Sequence, residues 1–284
     1  MKPDAHFKYF SLSLVWCWFF LFALLPFCLI IITSLMGHSD RHLIESSFTL
    51  SNYQQLNHSI YIRIFEKSFF IAGLSTLLCL LLGYPFAYYI ARIQNRWKNT
   101  LILLVIIPFW TSSLIRSYAL IAIIKAKGIL NSLLIALGII HQPLSILFTN
   151  YAVIIGLVYN LLPFMILPIM TNVEKLDHRL VDAAHDLGAN KLTTFRKIII
   201  PLTLPGIIAG SIMVFLPAMT LFYISDILGG AKSMLLGNLI QNQFLIAQNW
   251  PLGSAVNIVL TLILATLILI YLWATRSNKK REWL

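Results

Sequence analysis

Apolar residues in this chain do not alternate, and they do not confine themselves to one helical face. They come in long runs separated by short polar segments. A helix needs about 20 mostly apolar residues to cross a bilayer. Six runs reach that length, at about 12–36, 68–90, 100–124, 147–170, 202–224 and 255–275. A further run, 129–140, is too short to span and is read as a re-entrant or interfacial turn. The pattern predicts an all-α integral membrane protein of six transmembrane helices, forming a single transmembrane domain over 1–284. The first run is too long for a signal-peptide core and lacks a small-x-small cleavage site, so it is expected to be retained. Pro108, Pro163, Pro168, Pro205 and Pro217 fall inside runs, where kinks are expected. Gly206 and Gly210 form a GxxxG that lets a neighbouring helix come close, which is read as packing within the molecule.

Composition agrees with a membrane protein: 59% of residues are hydrophobic and only 11% are charged. A soluble domain needs far more charge on its surface. The net charge of +11 raises nucleic acid as a partner. No basic run forms a recognition helix, however, so nucleic acid is set aside and membrane lipid remains. The basic residues sort to one side instead. With the N-terminus inside, 14 of the 21 Lys and Arg fall in the inner segments 1–11, 91–99, 171–201 and 276–284. The positive-inside rule then predicts both termini in the cytoplasm. Cys17, Cys28 and Cys79 lie in apolar runs without CxxC spacing and are read as small buried hydrophobes.

The long inner loop, 171–201, has the most structured pattern. Asp177 is placed to cap a short helix. Leu180, Val181, Ala184 and Leu187 would share its apolar face. Gly188 stands where a helix ends in a positive φ. Asn190 is placed to cap a second short helix with Leu192, Phe195 and Ile199 on its apolar face. Two amphipathic helices at a turn are predicted, and the small Ala183 and Ala184 would let another backbone dock. His178 and His185 flank this segment and are read as solvated positions rather than metal ligands, because two histidines alone do not set a coordination geometry.

The loop resembles the EAA loop of permease subunits of binding-protein-dependent ABC importers. That pattern is Glu-Ala-Ala, three residues, Gly, nine residues, then Ile-x-Leu-Pro. Ala183, Ala184, Gly188, Ile198 and Pro201 match at the family spacing, while Asp182 replaces Glu and Ile200 replaces Leu. The resemblance implies a type I ABC importer permease fold in a bacterial inner membrane, with this loop as the helix that couples to a cytoplasmic ATPase. It extends along nearly the whole chain to the polyamine (spermidine/putrescine) importer permeases. The segments carrying it are Pro108–Arg116, Leu161–Phe164, Leu216–Met219 and Gly229–Lys232. The implied partners are two ATPase copies, a sister permease and a periplasmic substrate-binding protein.

No GxxxxGK[ST] loop is present, so ATP and Mg are expected on the partner ATPase and this chain is not expected to be an enzyme. A secondary transporter would need acidic relays within the membrane or an inverted repeat, and neither is visible. An importer of another small solute stays open. A polyamine path should pair carboxylates with aromatic faces. Asp226 is the candidate carboxylate, with Tyr223, Trp110 and Tyr118 as candidate aromatic groups. Arg116, an ionisable residue in the third run, is read as turned away from that path or paired with Asp226.

Overall fold

The computed structural model describes residues 5–39, 42–93, 95–230 and 233–279. Lys2, Lys280, Arg281 and the Ala231-Lys232 pair of the quoted segment lie outside the described residues. Among the described residues, six stretches are long and apolar enough to cross a membrane: Leu12–Ser34, Ser59–Arg92, Ser113–Ala136, Asn150–Glu174, Lys191–Thr220 and Trp250–Leu269.

The chain falls into two compact units. The first takes in the described residues of Met1–Ile62 and Leu239–Leu284. It begins with α1 (Ala5–Phe19), a π-helical turn Phe20–Leu24 and α2 (Leu25–Ser34). A hairpin follows, β1 (Met36–Ser39) antiparallel to β2 (His42–Phe48), then α3 (Ser51–Gln55). This hairpin is a departure from the all-helical expectation. Its apolar residues are few and its paired positions irregular, so period 2 is not visible in the sequence. Asn52 ties the region together: its amide donates to the carbonyl of Ser34 (3.1 Å), which the end of α2 leaves without a helical partner, and to that of Met36 (2.8 Å) at the start of β1. The last helix, α14 (Trp250–Lys279), packs on α2, and its Leu252, Ala255, Val256 and Leu260 are buried.

The second unit, Arg63–Asn238, is built around α8 (Asn150–Glu174), the most buried of the six stretches. Its principal partner is α11 (Ile200–Thr220). The GxxxG expectation is met here. A Cβ on Gly206 would lie 2.8 Å from the Pro168 carbonyl oxygen, and one on Gly210 would lie 3.1 Å from that of Met165. The helix α4 (Ser59–Arg92) joins this core, with Gly83 against Met165 and the Tyr84 hydroxyl 3.0 Å from that of Thr203.

Three helix boundaries differ from expectation. The predicted span 100–124 is broken into α5 (Asn95–Trp110) and α6 (Ser113–Ile124), because Ser112 is non-helical at ψ 133 and starts a new helix. The apolar stretch therefore shifts to Ser113–Ala136, which includes a turn at 125–128 and α7 (Ile129–Ala136). The short run at 129–140 does form a short helix and turn, held by Asn131, whose side chain pairs with both backbone groups of Leu144. The span 202–224 ends early, at Leu221 (φ −72, ψ 77), before α12 (Phe222–Ile224) and a π turn Ser225–Gly229. The second short helix of the loop is not separate. Its first turn, α10 (Lys191–Thr194), runs through a π turn, Phe195–Ile199, straight into α11. Of the cysteines only Cys79 is buried; Cys17 and Cys28 are exposed on α1 and α2.

Candidate functional site

The loop between α8 and α11 folds by the local rules its residues suggest. The Asp177 carboxylate accepts from the Arg179 N–H at 2.9 Å and starts α9 (His178–Asp186). The helix closes in a Schellman arrangement: the Gly188 N–H donates to the His185 carbonyl at 2.9 Å and the Ala189 N–H to that of Ala184 at 2.9 Å. Gly188 has φ +78 with nothing within 4 Å of an added Cβ, so backbone conformation rather than crowding requires glycine. Asn190 accepts from the Thr193 N–H at 2.8 Å and starts the next helix.

The faces of α9 sort differently from the single stripe expected. Val181 is buried with Leu176 and Ile199, covered by Tyr88 and Phe195. Ala184, at 7% exposure, also turns inward. The expectation that Ala184 presents itself to a partner is therefore corrected: it seats α9 on its own chain. Leu180, Ala183 and Leu187 are exposed, Leu187 at 89%. Their i, i+3, i+7 spacing makes an uncovered apolar stripe. Asp182 and Gly188 are exposed beside it, Ile198 is half-buried, and Pro201 is exposed in the first turn of α11. His185 is exposed with Nδ1 3.1 Å from the Ala189 carbonyl; the side chain of His178 lies outside the described residues.

The candidate path residues occupy four different elements. Trp110, 82% exposed, ends α5, and Tyr118 is exposed on α6, so they do not share one helix as the third span implied. Tyr223 lies half-buried in α12, and Asp226 is exposed in the following π turn. The α6 helix packs on both α12 and that turn, which brings Tyr118's element beside those of Tyr223 and Asp226.

Among the described residues no ion pair joins Asp226 to Arg116. Asp226 instead accepts a hydrogen bond from the Asn238 amide. Arg116 lies with its guanidinium 5.7 Å from the Phe109 ring, and its Nε is buried with no hydrogen-bond partner among the described residues.

Asn238 is the residue that sequence reasoning missed. It is buried in the first turn of α13 (Leu236–Leu245). Its oxygen accepts from the Leu235 N–H at 3.1 Å, and its amide also donates to the Phe222 carbonyl at 3.0 Å. One side chain thus holds α12, the Asp226 turn and the start of α13 together. The only local signal is its place three residues after the cap position, Leu235, where an amide can reach back to the cap. Gly237 permits this closeness, since a Cβ there would lie 2.5 Å from the Thr220 carbonyl oxygen.

Residues 83–282 match the family of binding-protein-dependent transport system inner membrane components. The chain is 50% identical over 266 residues to the spermidine/putrescine transport system permease protein PotB of Escherichia coli (strain K12), covering 93% of this chain and 97% of that protein. It is 46% identical over 277 residues to the protein of the same name from Haemophilus influenzae, covering 97% of each. Among solved structures, a bacterial ABC transporter that imports the acidic polysaccharide alginate superposes with a TM-score of 0.76 over 95% of both chains, at 15% identity, which speaks for the fold alone. Family match, near full-length relatives and shared fold agree, and the chain belongs to the inner membrane permease components of binding-protein-dependent ABC importers.

Proposed function

We propose that this permease carries polyamines, spermidine or putrescine, into the cytoplasm, driven by ATP hydrolysis on a separate subunit. The observation that carries the cargo is the near full-length identity, 46–50%, to proteins named as spermidine/putrescine permeases. The exposed stripe of Leu180, Ala183 and Leu187 supports α9 as the docking helix. A helix seated by Val181 and Ala184 and bare on its other face is built to insert into a groove of a partner. That partner is a cytoplasmic ATPase present in two copies, holding the ATP and Mg. A sister permease and a periplasmic binding protein complete the importer, and both termini of this chain lie in the cytoplasm.

Asp226 and Tyr223 line the cargo path, with Tyr118 beside them and Trp110 at its rim. Asp226 is exposed and ready to meet an ammonium group, and Asn238 fixes it without neutralising it.

The test is uptake of labelled spermidine into vesicles holding the reconstituted importer and its binding protein. Uptake should need ATP and should persist when ion gradients are collapsed. Gradient-driven uptake without ATP would overturn the reading, and ATP-driven uptake of another solute in place of polyamines would overturn the cargo.

A further inference from the structure

Beside α9 lies an open groove of about 610 Å³ that the docking stripe does not use. Its walls are of two kinds. Val181, Leu192, Phe195 and Ile199 are apolar, and Arg92 and Lys191, from two different helices, bring two positive charges. No carboxylate is among the described residues that line it. The Arg92 guanidinium stacks 4.7 Å from the Tyr88 ring centroid, which holds its flat face and leaves its N–H edges for a second partner. Both cations are exposed, so neither is committed to the chain's own core.

The helices place this groove at a definite depth. The α4 helix has 34 residues, about 51 Å of rise, and the continuous helix Lys191–Thr220 has 30, about 45 Å. The hydrocarbon core is only about 30 Å thick. Arg92 ends the first helix and Lys191 starts the second, so the charged end of the groove reaches the headgroup layer. Its apolar wall, at Ile199 and Tyr88, runs back toward the hydrocarbon. Aromatic side chains at that level suit a membrane interface.

We propose that this groove binds an anionic phospholipid of the cytoplasmic leaflet, with the phosphate between Arg92 and Lys191 and an acyl chain along Leu192, Phe195 and Ile199. A negative headgroup complements the two unopposed charges, and one amphiphile matches both kinds of wall. The site rests on the cytoplasmic placement of the 171–201 loop. Because it adjoins Val181 and Ile199 under α9, its occupant would steady the docking helix from below.

The importer, purified with its ATPase, is placed in nanodiscs of mixed dioleoylphosphatidylglycerol and dioleoylphosphatidylcholine. Lipids that stay bound are counted by native mass spectrometry. The wild type should retain phosphatidylglycerol preferentially, and Arg92→Gln with Lys191→Gln should lower that retention about tenfold, with phosphatidylcholine unchanged. Equal phosphatidylglycerol retention by both would overturn the proposal. A photo-reactive phenylalanine replacing Leu192 gives an independent reading in the same complex. Cross-links to lipid support the site, whereas cross-links to the ATPase would make the groove a protein interface and overturn it. Lipid retention is read without cargo, so a failure of the polyamine assignment would leave this measurement standing.

Discussion

At the scale of single residues, neighbours in sequence have opposite jobs. Ala183 faces outward and Ala184 inward, though both belong to the same matched pair. Ala183→Trp should block docking while the permease keeps its thermal stability, because the new ring meets only the partner. Ala184→Trp should instead destabilise the permease by about 1–3 kcal/mol, since a large ring cannot enter the packed contact beneath α9. Co-purification of the ATPase, read beside the melting temperature, separates the two; identical behaviour of both variants would mean that α9 is not docked by its outer face.

Asp226 allows a similarly clean comparison. In Asp226→Asn the side-chain oxygen can still accept from Asn238, so the turn should hold and only the charge is lost. Spermidine uptake should fall at least tenfold at limiting concentration while the complex assembles normally. Unchanged uptake at every concentration would remove Asp226 from the path. The residue-scale features that local chemistry decides were legible in the sequence: the Asp177 and Asn190 caps and the positive φ of Gly188 each follow from a few neighbours. Asn238 was not legible, because its partners Phe222 and Asp226 are brought to it only by the fold.

At the scale of elements, the misread boundaries have a common cause. Hydropathy records how long an apolar run is and says little about where its backbone changes course. The break at Ser112 and that at Leu221 fall within apolar runs, each four residues after a proline, Pro108 and Pro217, so the pattern passed over both. The opposite error occurred at the end of the 171–201 loop, where a separate short helix was expected and Pro201 sits inside a continuous one. A proline ring clashes with the carbonyl four residues back, here that of Lys197. The π turn Phe195–Ile199 holds that residue, and its wider winding displaces the carbonyl, so the helix continues. Pro26 follows the π turn Phe20–Leu24 in the same register, two residues after its end.

The α8–α11 seam gives the prediction at this scale. Gly210→Leu would drive a side chain into the Met165 backbone and should destabilise the permease by at least ~3 kcal/mol. Gly73→Leu, where nothing lies within 4 Å of the added Cβ, is the control and should be tolerated. Detergent-solubilised melting curves and membrane levels measure both.

At the scale of the whole molecule, the family and the count of six spanning stretches were legible because bilayer thickness and a spaced docking motif each leave a long-range mark on the sequence. Sidedness is the remaining whole-molecule expectation. Reporter fusions after Ile90, Asn190 and Lys279 should read cytoplasmic, and fusions near Asn52, Ile129 and Asn242 periplasmic. A periplasmic signal at Asn190 would put α9 out of reach of any ATPase.

The placement of the three thiols makes the native chain a ready background for chemical probing. Cys79 is fully buried, and Cys17 and Cys28, though uncovered by protein, sit within the apolar stretch Leu12–Ser34 that hydrocarbon would surround. Maleimides react with thiolate, which forms where water reaches the sulfur. A membrane-impermeant maleimide should therefore leave the wild-type chain unmarked, with no cysteine removed. Leu187→Cys would then report as the single reactive position, labelled quickly in inside-out vesicles stripped of the ATPase and slowly once that subunit is restored.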